Sequence, residues 1–381
     1  MAFVANPNGR RVIIVDFAHM AWSYAFSNAK ALSHTLMVDG VPRVVDTTIP
    51  TYTIKALNRW AKCGFNPLAV CFDGRGNARC RKAYFAANTD PVDGGQVASY
   101  KGQRDNHDSR LYEGINMTAH FLLEGGVSCY KAENYEADDL VKACVDRAKI
   151  DYPDLPIDIF TGDHDLLPLV DEQVSVFLRS VKTTYAESKE LEKPHYVQVT
   201  PRNFQSYLET LTSYKSLQVP YNTVLLAKLL RGDKSDAVPG MPAWKPKKYK
   251  ELLAKLEADG VDLGSLFRYD NPTEKIIDTR TNKELSPTDA MSVANEFKYI
   301  SFGEPPALTR ICDTLAPYVT EEDIAHIRYV YNGINLNGAF TDIGDFTRRP
   351  AKLATPIKGY DVALLAGLLS KTLSINLPIS M

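Results

Sequence analysis

The octapeptide NYEADDLV at 134–141 crowds Glu136, Asp138 and Asp139 into about one helical turn. Two carboxylates ~4 Å apart repel by about 1 kcal/mol in water, and by roughly 4 kcal/mol where the effective dielectric is ~20. A solvated helix start tolerates such acids, because the first turn of a helix favours negative charge. Further acids follow apolar runs or sit in turns: Asp16 after RVIIV, Asp73 after PLAVCF, Asp163 and Asp165 in TGDHD, Asp233 and Asp236 in GDKSDAVPG. If these nine carboxylates converge with no matching cation, they strongly destabilise the fold unless bound metal offsets their charge. Oxygen donors without His or Cys favour Mg²⁺, with Mn²⁺ as a substitute, over zinc. The acids are too dispersed for an EF-hand, whose ligands fall within one loop of about twelve residues. A cage of this kind suits phosphoryl hydrolysis with two ions, one acidifying an attacking water and the other stabilising the leaving oxygen.

For that chemistry to exist, the elements must bring distant acids together. Residues 11–15, 67–72, around 127–130 and 157–160 form short apolar runs, each leading into an acidic position. Between them lie helical stretches, clearest from Ala137 to about Ile150. Short continuous strands alternating with helices predict an α/β fold with a mostly parallel, doubly wound sheet and flanking helices. In such sheets sites form outside the carboxyl ends of the strands, which is where these acids fall. Residues 1–200 read as this α/β domain, interrupted at about 74–126 by an insertion too polar and irregular for core. The insertion carries Arg75, Arg79, Arg81, Lys82, Lys101 and Arg104 with Tyr84, Phe85 and Tyr100, and 86–99 reads as its tip. Thr200–Pro201 begins a mainly helical part running to 346, and 347–381 form a tail that is apolar from 360 onward.

Composition narrows the field. The chain has 381 residues, 45% of them hydrophobic, enough to bury one large or two smaller cores. A formal charge of -2 offers no whole-molecule attraction to nucleic acid or an anionic membrane, so any such affinity belongs to local basic patches. The six cysteines form no CxxC pair and no zinc spacing, and several lie in apolar runs, as expected of reduced core residues. The N-terminus lacks the basic-then-apolar order of a signal peptide, and no apolar run nears the ~20 residues that span a bilayer. A soluble, cytoplasmic protein is expected.

The segments VDFAHMAW, FDGRGNARCRKAYF, SYKGQRD, NYEADDLV, TGDHDL and GDKSDAVPG, in this order over roughly 11–240, resemble the 5′ nuclease family of PIN-like fold. That family includes flap endonucleases, phage 5′→3′ exonucleases of the ribonuclease H type, and the 5′-nuclease domain of bacterial DNA polymerase I. Six motifs in register make a specific signal where one alone does not. The resemblance implies one metal group from Asp16, Asp73, Glu136, Asp138 and Asp139, and a second from Asp163, Asp165, Asp233 and Asp236. It implies a helical arch in which Lys101 and Arg104 steady the scissile phosphate, neutralising charge that grows in the transition state. Tyr100 matches an aromatic on which a terminal base stacks, and Arg79 and Arg81 are phosphate-contact candidates.

The turn at 231–240 resembles a helix–three-turn–helix element, where groups around Ser235 and Val238 hold K⁺ against a duplex phosphate. Here the chain continues MPAWKPKKY rather than with a second glycine-rich turn, so Lys245, Lys247, Lys248 and Lys250 become the expected non-specific duplex anchors. His19, His107 and His164 read as structural, with His164 facing away from the metals, and Trp22 and Tyr24 read as core. The implied activity is Mg²⁺-dependent, structure-specific 5′ nuclease action on DNA with 5′ flaps, nicks or ends, or on RNA–DNA hybrid, in primer or flap removal during replication. A monomer is expected, with the apolar tail available to recruit a replication protein. Three rival readings are a catalytically silent DNA-junction binder, a Toprim-type phosphotransferase and a PIN-toxin-type ribonuclease, the last of which would lack both the helical half and the arch. The first predicts missing ligands and none is missing. The second wants a lone Glu after its first strand, where this chain has Asp16.

Overall fold

A computed structural model of the chain describes residues 11–26, 31–38, 41–62, 65–74, 109–124, 127–131, 136–179, 196–209, 211, 223–232, 238–266, 276–278, 280–281, 283–285, 300–302 and 306–331. Arg79, Arg81, Tyr100, Lys101 and Arg104, the turn residues Asp233, Ser235 and Asp236, and the tail lie outside the described residues.

The main sheet starts from β1 (Arg11–Asp16), whose VIIV core is buried on both faces. Val12 and Ile14 face one hydrophobic cluster while Ile13 and Val15 face another, the two-residue alternation of a strand enclosed on both sides. On one side β1 pairs in parallel with β4 (Phe65–Phe72), which pairs in parallel with β5 (Ser128–Lys131). On the other it pairs in parallel with β6 (Ile157–Thr161), which pairs in parallel with β7 (Val174–Arg179). An antiparallel edge strand, β8 (Tyr196–Val199), completes the order β5-β4-β1-β6-β7-β8. The chain thus winds outward from β1 in both directions, so the order reverses between β1 and β6. A doubly wound sheet opens a crevice at that reversal, outside the carboxyl ends of the two strands. The expected mostly parallel α/β sheet is the observed one.

Helices α1 (Phe17–Phe26), α2 (Thr48–Lys62) and α3 (Ser109–Glu124) carry residues of the cluster on one face of the sheet. Helix α4 (Ala137–Asp151) packs on the other face through Leu140, Val141, Cys144 and Val145. A 3₁₀ turn, His164–Leu169, joins β6 to β7. Helix α3 corrects the reading of 74–126 as too irregular for core, because Leu111, Met117, Ala119, Phe121 and Leu122 are all buried. Its apolar residues recur at helical spacing, a signal masked by the polar stretch before it.

A hairpin of β2 (Ser33–Val38) and β3 (Val41–Asp46) links α1 to α2 and was not anticipated. Its cue was Asp39–Gly40 in the sequence, a strong two-residue hairpin signal. Beyond β8 come α5 (Phe204–Leu208), α6 (Val224–Arg231), α7 (Pro246–Ala258) and α8 (Leu263–Leu266). Helices α9 (Pro306–Leu315) and α10 (Glu321–Val330) follow. Among the described residues this half also holds three short strands. β9 (Ile276–Asp278), β10 (Lys283–Leu285) and β11 (Ile300–Phe302) form a small antiparallel sheet. Strands of three residues are too short for alternation to register in a sequence.

The described cysteines Cys71, Cys129, Cys144 and Cys312 are free and buried, as expected. Tyr24 is core, but Trp22 is 43% exposed and is not. Among the described residues no helix is long and apolar enough to cross a membrane.

Candidate active site

The acids of the described residues gather at the crevice where the strand order reverses. Asp16 closes β1, and Asp73 directly follows β4. Glu136 is the N-cap of α4, with Asp138 and Asp139 in its first turn. Asp163 and Asp165 open the 3₁₀ turn after β6. Local hydrogen bonding explains why the chain folds this way. Asp73 Oδ1 accepts from the Ala137 amide at 2.9 Å, so a carboxylate at the end of β4 caps the first turn of α4. The Glu136 amide donates to Asp139 Oδ2 at 3.1 Å. Asp163 Oδ1 accepts from the Asp165 amide at 2.9 Å, holding the pair in one tight turn.

Asp138, Asp163 and Asp165 each present a carboxylate oxygen, all within 4.8 Å of one another. Asp138, grouped with the first set in the sequence reading, therefore lies beside two acids of the second. Glu136, Asp138, Asp139, Asp16 and Asp165 are buried, while Asp73 and Asp163 are half-buried.

Thr161, which the sequence reading passed over, organises the crevice. Its hydroxyl donates to Asp16 Oδ2 at 2.7 Å and accepts from the Asp163 amide at 2.9 Å, tying β1 to β6. The other oxygen of that carboxylate, Asp16 Oδ1, is buried and makes no hydrogen bond among the described residues. Burial raises the Asp16 pKa to about 6, with the Thr161 hydroxyl pulling it down and Asp73 pushing it up. Burial and the neighbouring Asp165 carboxylate raise Asp163 to about 7. Carboxyl groups held this high are short of positive charge.

A cation absent from the sequence reading supplies part of it. Lys228 of α6 is 4% exposed, and its ammonium donates to Asp165 Oδ1 at 2.6 Å. The expectation of a cluster with no matching cation is corrected accordingly. The cue was a lone lysine inside VLLAKLL, where helical spacing puts position 228 on the apolar face. One lysine does not balance the cluster. The all-oxygen donor set, the orphaned buried Asp16 oxygen and the raised pKa values fit a hard divalent cation.

His164 directs Nε2 to the Tyr207 hydroxyl at 3.2 Å, as expected of a structural residue. The His19 ring lies against Gly162, and a Cβ built at Gly162 would fall 1.7 Å from His19 Nε2. Burial, Arg179 and His164 lower the His19 pKa to about 4, which keeps it neutral near pH 7.

At the 231–240 turn, Gly232 adopts φ +74° and Gly240 abuts the Arg231 carbonyl, where a Cβ would meet oxygen at 1.9 Å. The turn's base therefore closes backbone against backbone, with Val238 buried beneath it. Lys245, Lys247 and Lys250 are exposed, and Lys248 is half-exposed with its ammonium engaged by neighbouring side chains. Its ammonium lies 3.5 Å from Asp323 Oδ2 and 4.0 Å from the Trp244 ring centroid, and Trp244 Nε1 donates to Asp323 Oδ1 at 2.6 Å.

Residues 11–195 match the family of "5'-3' exonuclease, N-terminal resolvase-like domain". DNA polymerase I of Caldicellulosiruptor bescii is 27% identical over 186 residues, a match covering 49% of this chain and 18% of the polymerase. A 5'-3' exonuclease of Mycoplasma pneumoniae is 29% identical over 160 residues, covering 41% of this chain and 47% of that protein. Of solved structures, the T5 D15 protein co-crystallized with metal ions superposes with a TM-score of 0.46 at 14% identity, covering 85% of this chain and 100% of that one.

Proposed function

We propose, for a chain whose residues 11–195 belong to the 5′-3′ exonuclease N-terminal domain family, that it hydrolyses phosphodiester bonds near the 5′ ends of DNA. The observation that carries this reading is the meeting of Asp138, Asp163 and Asp165 within 4.8 Å at the reversal point of the sheet. These three, with Asp16, Asp73, Glu136 and Asp139 beside them, would hold divalent ions, for which Mg²⁺ is the natural choice. Such ions supply an acidified water and neutralisation of charge on the reacting phosphate.

The chain's own groups prepare the site. Thr161 orients Asp16 through one oxygen and leaves the other unpaired. Lys228 fixes Asp165 and offsets part of the repulsion that the crowded acids would otherwise suffer. Family resemblance adds Lys101 and Arg104 as cations on the scissile phosphate, Tyr100 as a stacking surface, Arg79 and Arg81 as phosphate contacts, and Asp233 and Asp236 as further ligands. Exposed Lys245 and Lys247 are suited to duplex phosphates. Substrates on this reading are 5′ flaps, nicks and ends, chosen by shape, and the products are a 5′ phosphate and a 3′ hydroxyl. Primer or flap removal during replication is the biological task that fits.

The test is incubation with 5′-labelled flap, nicked and blunt DNA, in Mg²⁺ and in EDTA, with the products mapped. Cleavage near 5′ ends in Mg²⁺ alone, lost in Asp163→Ala, supports the reading. Intact substrates throughout, or cleavage that survives Asp163→Ala, overturn it.

A further inference from the structure

Beside the acidic crevice the same sheet edge carries a row of opposite character. Arg179 is the last residue of β7, one position beyond Leu178, which pairs with Thr161 of β6. It therefore stands at the carboxyl edge next to the strand that presents Asp163. Along β7 the side chains alternate, and Phe177 belongs to the cluster beneath α1 and α2. Arg179 is on that same face. Its guanidinium carbon lies 5.8 Å from the centroid of the Tyr24 ring on α1. Tyr24 stacks on Tyr52 of α2, with centroids 5.7 Å apart and planes 25° from parallel. One helical turn along α2, Lys55 places its ammonium 5.3 Å from the Tyr52 centroid.

The result is a row of cation, ring, ring and cation leading from the crevice edge across α1 to α2. Arg179 is half-buried and Lys55 exposed, and among the described residues neither pairs with a carboxylate. Surface cations on this protein do commonly find acidic partners, as Lys142, Arg147 and Lys149 each do. Aromatic faces hold these two side chains in place while leaving their hydrogen-bond donors available. A cation so arranged is prepared for an anion that arrives from outside.

We propose that the row Arg179–Tyr24–Tyr52–Lys55 is a binding track for the phosphodiester backbone of the DNA strand that reaches the acidic crevice. The inference rests on the nuclease reading above. It adds a second, cationic surface that carries the strand while the acids act on one of its phosphates. The electrostatics require some such surface, because the crevice itself repels a polyanion and the whole chain has a net charge of only -2. The rings contribute by fixing the cations from beneath, since Tyr24 is buried and Tyr52 half-buried.

The test is single-turnover cleavage of 5′-flap DNA in Mg²⁺, with enzyme concentration and salt varied, for wild type, Lys55→Ala, Arg179→Gln and Arg179→Lys. A phosphate contact in ~0.1 M salt is worth roughly five- to tenfold in binding. The half-saturating concentration should therefore rise by roughly that factor in Lys55→Ala and in Arg179→Gln, with the maximal rate unchanged. The slope of log affinity against log salt should shrink by about one for each cation removed. Arg179→Lys, which keeps the charge, should keep the slope. A purely structural role would lower the melting midpoint without changing the salt slope. Lys55 is exposed, so its variant reads out binding whatever Arg179 does to folding.

The inference is overturned if Lys55→Ala and Arg179→Gln keep the wild-type half-saturation and salt slope, or if only the maximal rate falls. If wild type cleaves and Asp138→Asn does not, that failure belongs to the track alone. If wild type cleaves nothing, the nuclease reading and the track fall together.

Discussion

In the folded chain burial holds Asp163 at about 7 and Asp16 at about 6, against 3.8 for an ordinary aspartate. Between those values the folded state binds more protons than the unfolded one, so stability falls as pH rises through that window. The loss is complete once pH passes the higher folded value. We therefore expect the melting midpoint of metal-free protein to drop between about pH 4.5 and 7.5, and the drop to shrink in Asp163→Asn. Equal pH slopes for the two proteins by differential scanning calorimetry would refute this account. Lys228 offers a second test at the same scale. Removing one partner of a buried ion pair typically costs about 3–5 kcal/mol, because the remaining charge is stranded. Lys228→Met should destabilise by that order in urea unfolding. Adding Asp165→Asn should restore most of the loss, and strict additivity of the two changes would contradict the pairing.

The junction of β6 with the 3₁₀ turn is the element on which the site depends. Thr161, Gly162 and Asp163 are consecutive, and each has a separate duty. Thr161 bonds to β1, Gly162 makes room for the His19 ring, and Asp163 enters the acid cluster. A methyl group at 162 must displace an imidazole held on the opposite side of the crevice. Overpacking of this kind typically costs about 1–3 kcal/mol. Gly162→Ala should therefore unfold at lower denaturant, and His19→Ala in the same chain should recover part of the loss. No recovery would show that the backbone of the turn, rather than the ring, is what suffers. Two longer elements show how context misleads a sequence reading. Helix α3 sits behind a polar stretch that hides its apolar spacing in the sequence. The hairpin of β2 and β3 exposes Val41 and Val44 and buries Val45, so most of its described apolar residues mark strand pairing rather than core.

Across the whole molecule, the doubly wound sheet brings together acids from β1, β4, α4 and β6 that are far apart in sequence. Any ion bound among them links the two sides of the sheet in the folded state only. A ligand that binds only the folded state stabilises it by about 2.7 kcal/mol at a hundred times its Kd. Mg²⁺ or Mn²⁺ at millimolar levels should raise the melting midpoint by several degrees, and Ca²⁺ provides a non-identical oxygen-seeking comparison. Asp138→Asn should remove most of the shift, while raising the midpoint of the metal-free chain by relieving repulsion. A shift that survives in Asp138→Asn would locate the ion elsewhere.

The sequence alone determined the acidic residues, the strands that end on them and the winding that carries them to one edge. These follow from apolar runs, helical spacing and strand-end carboxylates, all local properties of the chain. It did not disclose Thr161, Lys228 or the row from Arg179 to Lys55. Thr161 is ordinary until β1 lies beside it, and Lys228 looks like one polar residue on an apolar helix until Asp165 faces it. Arg179, Tyr24, Tyr52 and Lys55 come from three elements, and no spacing along the chain relates them. Only the tertiary structure decides such partnerships, because hydrogen bonds, ion pairs and ring stacking act over a few ångströms whatever the number of residues between.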